Sequence, residues 1–339
     1  MQLFKILLLF IFFYLLNTIS IPAQQPIKYY EQAWKNVDDL YAKKNLPKSA
    51  LVEVKKIYVQ AKKEKQDAQL IKAVVYMISL QQENREDNEL AGIKEIEKEI
   101  ATNKEPVVSI FKSLLAGTYW NYYQNNRWKL YDRTETKQLK KDDISTWGAE
   151  DFHKKITELY IQSIKDEKKL QQTKLNYFEA IIIKGNMRHL RPTLYDLLVN
   201  KALEYFKNDE RDLAKPAYAF EIDQASAFDP AADFITRKFI TKDSSSLQHK
   251  ALLIYQKLIA FHLHDLKPDA LLDADIQRLQ FVHENSTHAD KKDLFRKALN
   301  QLGQQYKDLP AAAQAWYLLA SGYNSDGDEY KPFGDTTHR

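Results

Sequence analysis

Helical periodicity runs through almost the whole of this chain, and little in the sequence interrupts it. The 339 residues include only 8 glycines and 10 prolines, which are the residues that most often end a helix or open a turn. Between them, apolar residues recur at the spacing of an amphipathic helix, as at Tyr30, Trp34 and Val37. Runs of short alternating strands do not appear in the sequence. The sequence therefore predicts an all-α fold.

The periodicity divides the chain into regions of different regularity. Helical hairpins fill 24–124, a less regular but mainly helical middle covers 125–245, and tetratricopeptide-like hairpin repeats fill 246–323. Short polar turns join the helices, which predicts antiparallel neighbours. We expect the hairpins to stack as an α-solenoid, because one hairpin cannot bury its apolar face alone.

The last helical pattern begins at Pro310 and carries apolar residues as far as Tyr323. The residues that follow, 324–339, form a polar tail and do not supply a second helix. A repeat needs that helix to cover Trp316 and Leu319. We therefore expect a truncated repeat, and expect these residues to be the front part of a longer protein.

The N-terminus has the pattern of a secretory signal peptide over 1–23. Lys5 precedes an unbroken apolar run from Ile6 to Leu16, and the small residue Ala23 offers a cleavage point. An uncleaved anchor is the alternative, but the run is shorter than the roughly 20 residues that a spanning helix needs. We predict export to the periplasm, cell envelope or exterior, with no membrane span after cleavage.

Composition narrows the classes of partner and of chemistry. The chain has no cysteine, so an exported form must be held together by a hydrophobic core and not by disulfides. Thiol nucleophiles are excluded for the same reason. The net charge of +4 is too near neutral to indicate nucleic acid or an anionic membrane surface as a partner.

The histidines are the first candidates for a metal or acid–base site. His262 and His264 are two residues apart, which places them on opposite faces of a helix. His283 and His288 are five residues apart, whereas the helical zinc motif needs a separation of four. We interpret all of them as surface or hairpin-packing residues and predict no metal site.

Paired carboxylates are the second candidates. They occur at Asp38-Asp39, at Asp142-Asp143, and at Asp273 with Asp275. Each pair is expected in a solvated turn or on an amphipathic helix, whereas general acid catalysis requires a carboxyl group in an apolar pocket. We predict a non-catalytic protein with no cofactor, and assign no catalytic, cofactor-binding or metal-ligating residue.

The segment 119–131 (YWNYYQNNRWKLY) has the most unusual composition in the chain. One interpretation is a stacking platform for a sugar, a peptide or single-stranded nucleic acid. The other is that Tyr119, Tyr122, Tyr123 and Trp128 seal the junction between the first helical stack and the middle region. The helical spacing favours sealing. A partner surface is a third interpretation, because Tyr, Trp and Arg dominate interface hot spots.

Four strings of residues resemble one known family. They are 30–40 (YEQAWKNVDDL), 46–51 (LPKSAL), 131–136 (YDRTET) and 190–196 (LRPTLYD). They resemble the start of the mature region in very large alpha-2-macroglobulin-like proteins exported by Bacteroidetes-type bacteria, and the likeness spans most of 27–330. In that family such a region precedes macroglobulin β-sandwich domains, and the family is similar to host protease-trapping inhibitors.

The resemblance implies a non-catalytic helical scaffold region. It would dock on downstream macroglobulin domains or on an envelope protein, with proteases as indirect targets. Endopeptidase inhibition or cell-envelope defence would belong to domains beyond this chain. No bait segment or thioester matches any residue here, so no functional residue is carried over. The alternative is a free-standing periplasmic helical-repeat protein that binds peptide or protein partners in its concave face.

Overall fold

All regular structure in the described part of the chain is helical. The computed structural model describes residues 25–82, 88–130, 143–183, 185–208 and 217–329. Within these ranges α-helices and short 3₁₀ turns form and no strand does, so the predicted all-α class is confirmed. The stacking of hairpins into tetratricopeptide-like repeats stays a prediction.

Some of the predictions concern residues outside the described ranges. These are the signal peptide at 1–23, the string at 131–136, Asp142, Tyr131 and the end of the polar tail at 330–339. The structure forms two compact units, one ending at Asn88 and the other beginning at Glu89. Among the helices of the described residues, none is long and apolar enough to cross a membrane.

The first unit is built from three α-helices. They are α1 (Gln25–Asp38), which a π-helical turn (Asp39–Lys43) extends, α2 (Pro47–Glu64) and α3 (Asp67–Gln82). α2 begins at Pro47 because a proline at the first helical position forfeits no intrahelical hydrogen bond. It ends at Lys65, whose left-handed backbone with φ of 55° directs its N–H to the carbonyl oxygen of Ala61.

The apolar stripe predicted on α1 is its buried face. α2 packs against both α1 and α3, and Tyr30, Trp34 and Val37 are all buried. The Trp34 ring lies 4.8 Å from the ring of Tyr76 on α3, and its indole N–H donates a 2.7 Å hydrogen bond to Gln69. The stripe therefore joins α1 to α3 as well as to α2.

The second unit contains the remaining helices. They are α4 (Asn88–Thr102), α5 (Val107–Leu130), α6 (Ala149–Ser163), α7 (Glu167–Gln172), α8 (Leu194–Phe206), α9 (Ala231–Phe234), α10 (Leu247–His262), α11 (Asp269–Asn285), α12 (Lys291–Gln305) and α13 (Ala313–Glu329). The long helices pack nearly in chain order: α5 on α6 and α8, α8 on α10, and then α10, α11, α12 and α13 each on the next. Such sequential packing is what short connections between amphipathic helices produce.

At two places the helices cross a boundary between the regions predicted from the sequence. The predicted boundary at 124/125 falls inside α5, which continues to Leu130 and keeps that residue buried. The predicted polar tail begins as helix, since α13 continues to Glu329. Asp326 holds this part of α13 against α12. Its side chain is buried and accepts hydrogen bonds from Lys292 at 3.2 Å and from Arg296 of α12.

The last described helix contacts the helix that precedes it in the chain. α13 packs against α12, and Trp316 approaches Gly303 so closely that a Cβ atom at Gly303 would lie 2.6 Å from the indole Cε2 atom. Trp316 and Leu319 are only half-buried, and 58% of Tyr323 is exposed, so the truncated repeat stays a prediction. α12 contacts the indole because Gly303 has no side chain to keep the two helices apart.

Candidate functional site

A groove with a volume of about 540 Å³ lies between α4 and α6 in the second unit. Each wall is one helix face at the i, i+3, i+4, i+7 spacing: Leu90, Ile93, Lys94 and Glu97 from α4, and Asp151, Lys154, Lys155 and Glu158 from α6. Tyr119 of α5, together with Ile144 and Trp147 at the 3₁₀ turn Ile144–Thr146, forms the floor. The volume falls in the range of about 300–1,000 Å³ that is usual for ligand sites.

Aromatic packing fixes the floor of this groove. The rings of Tyr119 and Trp147 stack with 5.5 Å between centroids and 13° between planes, and Phe152 of α6 meets Trp147 edge-on at 5.2 Å. The Tyr119 hydroxyl donates to Glu97 at 3.3 Å. Burial, and then the charge and hydrogen bond of Glu97, raises the pKa of Tyr119 well above its usual value of about 10. The hydroxyl therefore remains a donor at neutral pH.

The aromatic segment on α5 is divided between packing and exposure. Tyr119 and Tyr123 are buried, and Tyr122 and Tyr123 both contact the ring of Phe152. Tyr119, Tyr122 and Tyr123 thus pack α5 onto α6. Trp128 does not share this role, because 80% of it is exposed; the sealing prediction is wrong for Trp128. The ring faces that could stack on a ligand are mostly covered by other rings.

A second polar cluster lies in the core, around His262. This residue ends α10 and is 2% exposed. Its Nε2 atom lies 2.7 Å from Asp196 Oδ1, and its Nδ1 atom lies 2.7 Å from Asp265 Oδ2. Asp196 also accepts hydrogen bonds from the backbone N–H and the hydroxyl of Thr193, at 2.8 and 2.7 Å, where it completes the N-terminal capping box of α8.

The geometry favours His262 as an imidazolium. A neutral imidazole has one N–H, whereas here both ring nitrogens meet carboxylate oxygens, so both must donate. Burial by itself lowers the pKa of His262, but the hydrogen bonds and charges of Asp196 and Asp265 outweigh it and raise the pKa above its usual value. Both nitrogens are engaged inside the fold, so His262 has no nitrogen available to a substrate or a metal ion.

A third polar cluster surrounds Arg278 on α11, which is fully buried. Its guanidinium donates to Asp275 through Nε at 3.0 Å and also through Nη2, to the Ala227 carbonyl at 2.6 Å, and to the Asp229 carbonyl at 3.0 Å. The guanidinium also lies 4.4 Å from the ring centroid of Phe234. Arg278 therefore fastens the segment 225–234 to α11.

The carboxylates that form pairs in the sequence have different surroundings in the structure, and only some of them are exposed to solvent. Asp39 forms an exposed ion pair with Lys43 at 2.6 Å, and Asp143 is exposed. Asp273 pairs with Arg191 at 3.1 Å. Asp275 is 3% exposed and lies on the buried side of α11, so of the two expected settings it has the helix and not the solvated turn. Its charge is balanced by Arg278, and the pair is a structural contact and not an acid–base dyad.

The remaining histidines do not come together. His264 lies exposed in the turn after α10, and the backbone N–H of Asp290 donates to Nδ1 of His288 at 3.0 Å. The His283 ring stacks on Phe295 with 4.3 Å between centroids, and burial and then the nearby cations, Lys291 first, lower its pKa. In the described part of the chain, no group of three His, Asp or Glu residues is placed to hold a metal ion.

Comparison with family models, with curated proteins and with solved structures finds no match to this chain. The sequence had not singled out the groove, although the four charged residues of its α6 wall stand at helical spacing. Nor had it singled out Asp196 or Arg278, because the His262 ring that meets Asp196 lies 66 residues away, and the Ala227 carbonyl that accepts from Arg278 lies 51 residues away.

Proposed function

We propose that this chain is a non-catalytic helical scaffold that binds protein partners, as the N-terminal region of an exported alpha-2-macroglobulin-like protein. The resemblance of the four strings supports the family, and the all-α fold is compatible with it. Endopeptidase inhibition or envelope defence would then belong to domains outside this chain. The partners would be those domains or an envelope protein.

The observation that carries the binding role is the groove between α4 and α6. Two helix faces form its walls and a stacked aromatic floor supports them, so the surface is preorganised, as binding surfaces of useful affinity generally are. The buried polar clusters support the absence of catalysis for a separate reason. The polar atoms of His262 and Arg278 are taken up by partners within the protein itself.

Two experiments test this function. The first is to determine the reading frame beyond Arg339. If macroglobulin domains follow, the purified protein should bind them when they are produced separately, as measured by isothermal titration calorimetry. A frame without such domains would reject the family proposal and favour the alternative, a free-standing periplasmic helical-repeat protein that binds peptide or protein partners in its concave face.

The second experiment tests the absence of catalysis. We expect no hydrolysis of peptide, ester or glycoside substrates, with or without divalent metal ions. An activity that disappears in His262→Gln or His283→Gln, while the variant keeps its helical circular dichroism, would contradict the proposal.

A further inference from the structure

The positive charge of this chain is concentrated in its first unit. Residues 25–82, the described part of that unit, contain eleven lysines, no arginine and six aspartates or glutamates, which gives a formal net charge of +5. The whole chain carries +4, so all its other residues together contribute −1. The near-neutral total therefore does not describe the first unit, and an uneven distribution of this kind indicates an anionic partner.

The outward face of α2 carries five of the eleven lysines. Seven exposed residues of this helix fall within an arc of about 120°, since successive residues are turned by about 100°. Lysine and valine alternate along the arc, in the order Lys48, Val52, Lys55 with Lys56, Val59, and Lys62 with Lys63. We call these seven residues the α2 stripe. At 1.5 Å per residue the stripe is about 22 Å long.

The carboxylates of α2 lie beside the stripe and not within it. The helix has two glutamates, Glu53 and Glu64, and Glu53 forms an ion pair with Lys56 at 2.7 Å. With both glutamates counted, the five lysines leave the helix with a net charge of +3. Within the described residues, three lysines of the stripe form no ion pair and no side-chain hydrogen bond: Lys48, Lys55 and Lys63. The stripe therefore presents positive charge that the unit itself does not neutralise.

The two valines of the stripe are directed to solvent. Val52 is 54% exposed and Val59 is 64% exposed, although valine is a poorer helix former than lysine or glutamate. Each valine has lysines one turn away on both sides along the helix. A solvated helix face usually alternates lysine with glutamate, whereas this face combines ammonium groups with apolar methyl groups. That combination is typical of helices that lie on a membrane surface.

We propose that the α2 stripe docks the protein on a membrane surface rich in anionic phospholipid. The lysine ammonium groups pair with lipid phosphates, and the valine methyl groups enter the boundary between headgroups and acyl chains. The attachment is peripheral, since among the described residues no helix is long and apolar enough to cross a membrane. This inference goes beyond the proposed function, which uses the groove between α4 and α6 and not α2.

The composition of the stripe favours lipid over a protein or a nucleic acid. Protein interfaces are enriched in arginine and aromatic residues and depleted in lysine, and the cations of the stripe are all lysine. The stripe also has no aromatic ring on which a base could stack. A lysine ammonium group is a point charge on a flexible stem, which can follow the phosphates of a fluid lipid layer.

Vesicle co-sedimentation tests the proposal. The protein from residue 24 onward is used, because the apolar run of the predicted signal peptide would itself enter lipid. We expect it to bind phosphatidylcholine vesicles with roughly 30% phosphatidylglycerol at least about tenfold more tightly than vesicles of phosphatidylcholine alone. Added salt should weaken this binding, because exposed charges are screened. Equal binding to the two kinds of vesicle, or binding to neither, would overturn the proposal.

Matched variants locate the docking surface. Glutamine at Lys48, Lys55 and Lys63 together should weaken binding to the anionic vesicles by at least about tenfold. A control with the same net charge should bind like the parent, and it changes three exposed lysines of the second unit: Lys242→Gln, Lys267→Gln and Lys297→Gln. Equal losses in the two variants would assign the binding to overall charge and overturn the α2 stripe. Arginine at the three stripe positions keeps the charge and should bind like the parent, which keeps the test decisive if the glutamine variant folds poorly.

The valines provide an independent readout. Val52→Ser with Val59→Ser should weaken binding by at least about threefold, and the loss should persist at high salt, because apolar burial adds to the electrostatic attraction. The control is Ile240→Ser with Leu266→Ser, at two apolar residues of the second unit that are even more exposed. This control should bind like the parent. A greater loss in the control than in the valine variant would place the lipid contact outside the α2 stripe.

An acidic protein and a nucleic acid are the other possible occupants. Fluorescence anisotropy with labelled polyglutamate and with a labelled DNA duplex tests both. If either binds the parent and not the glutamine variant of the stripe, while the anionic vesicles bind neither protein, the proposal fails and the stripe belongs to that class of partner. If the vesicles bind while macroglobulin domains do not, the docking surface stands and only the proposed function fails.

Discussion

The two compact units bury different kinds of side chain. In the described part of the first unit every buried side chain is hydrophobic, and its polar contacts, such as Tyr30 with Glu64, lie at the edge of the core. The second unit buries charged groups completely, including Arg278 with Asp275 and His262 with Asp196. One unit is thus held by apolar area, and the other also by specific pairs of charges.

This difference predicts different responses to mutation. Removing apolar atoms from a core loses transfer free energy in proportion to the atoms removed and to the cavity left behind. Removing one member of a buried ion pair leaves the other member charged and unsolvated, which is a larger penalty for one side chain. In the second unit, mutations at a few charged positions should therefore cause the largest losses of stability. In the first unit, the losses should be more similar from one buried position to the next.

The largest effect is expected for Arg278→Met. It leaves Asp275 buried without its cation and deprives two carbonyl groups of their donor, so we expect a loss of about 3–5 kcal/mol in the free energy of unfolding. Urea unfolding followed by circular dichroism measures it. The double variant Arg278→Met with Asp275→Leu should recover much of the loss. A single variant as stable as the parent would remove the contrast between the units.

Ile57→Ala tests the first unit. Ile57 is 1% exposed on the buried face of α2, and truncation of such a side chain costs about 2–5 kcal/mol. The control is Val59→Ala on the same helix, where 64% of the side chain is exposed. The control should stay within about 0.5 kcal/mol of the parent. Similar losses at both positions in urea unfolding would show that α2 is not packed as described.

Two glycine-to-alanine substitutions in the last two helices compare a glycine in close contact with an aromatic ring and a glycine on an open surface. Gly303→Ala places a methyl group 2.6 Å from the Trp316 ring, and overpacking of this kind costs about 1–3 kcal/mol. Gly327→Ala on α13 meets no atom within 4 Å and should stabilise the helix by about 0.5–1 kcal/mol. Thermal unfolding with Trp fluorescence measures both. Changes of the same sign would contradict the α12–α13 contact.

The smallest effect is a dependence of stability on pH. The folded pKa of His262 is raised above its usual value of about 6.5, so its ion pairs contribute fully to stability below the unfolded pKa. That contribution is lost as pH rises through the folded pKa. As pH rises from the unfolded pKa through the folded pKa of His262, we expect the urea midpoint of the parent to decrease. The midpoint of His262→Gln should decrease less over the same range. Identical profiles for the two proteins would refute the imidazolium assignment.

Some features of the structure could be predicted from the sequence and others could not. The start of α2 at Pro47 and the buried stripe of α1 were predictable, because both depend on residues close together along one helix. The continuation of α13 through Asp326 was not, because its ion pair joins residues that lie about thirty positions apart. The groove was missed because the whole of α5 separates its two walls along the chain, and only packing brings them together.

The sequence alone determined the all-α class, since sparse glycine and proline with apolar residues at helical spacing leave no other way to bury the apolar side chains. The tertiary structure decided which polar residues became core. His262 and Asp275 appear in the sequence as ordinary members of amphipathic helices. Tertiary packing brings Asp196 to His262, and it brings the Ala227 and Asp229 carbonyls to the Arg278–Asp275 pair of α11. Burial is tolerable there because a charge leaves water only where an opposite charge and hydrogen bonds replace its hydration.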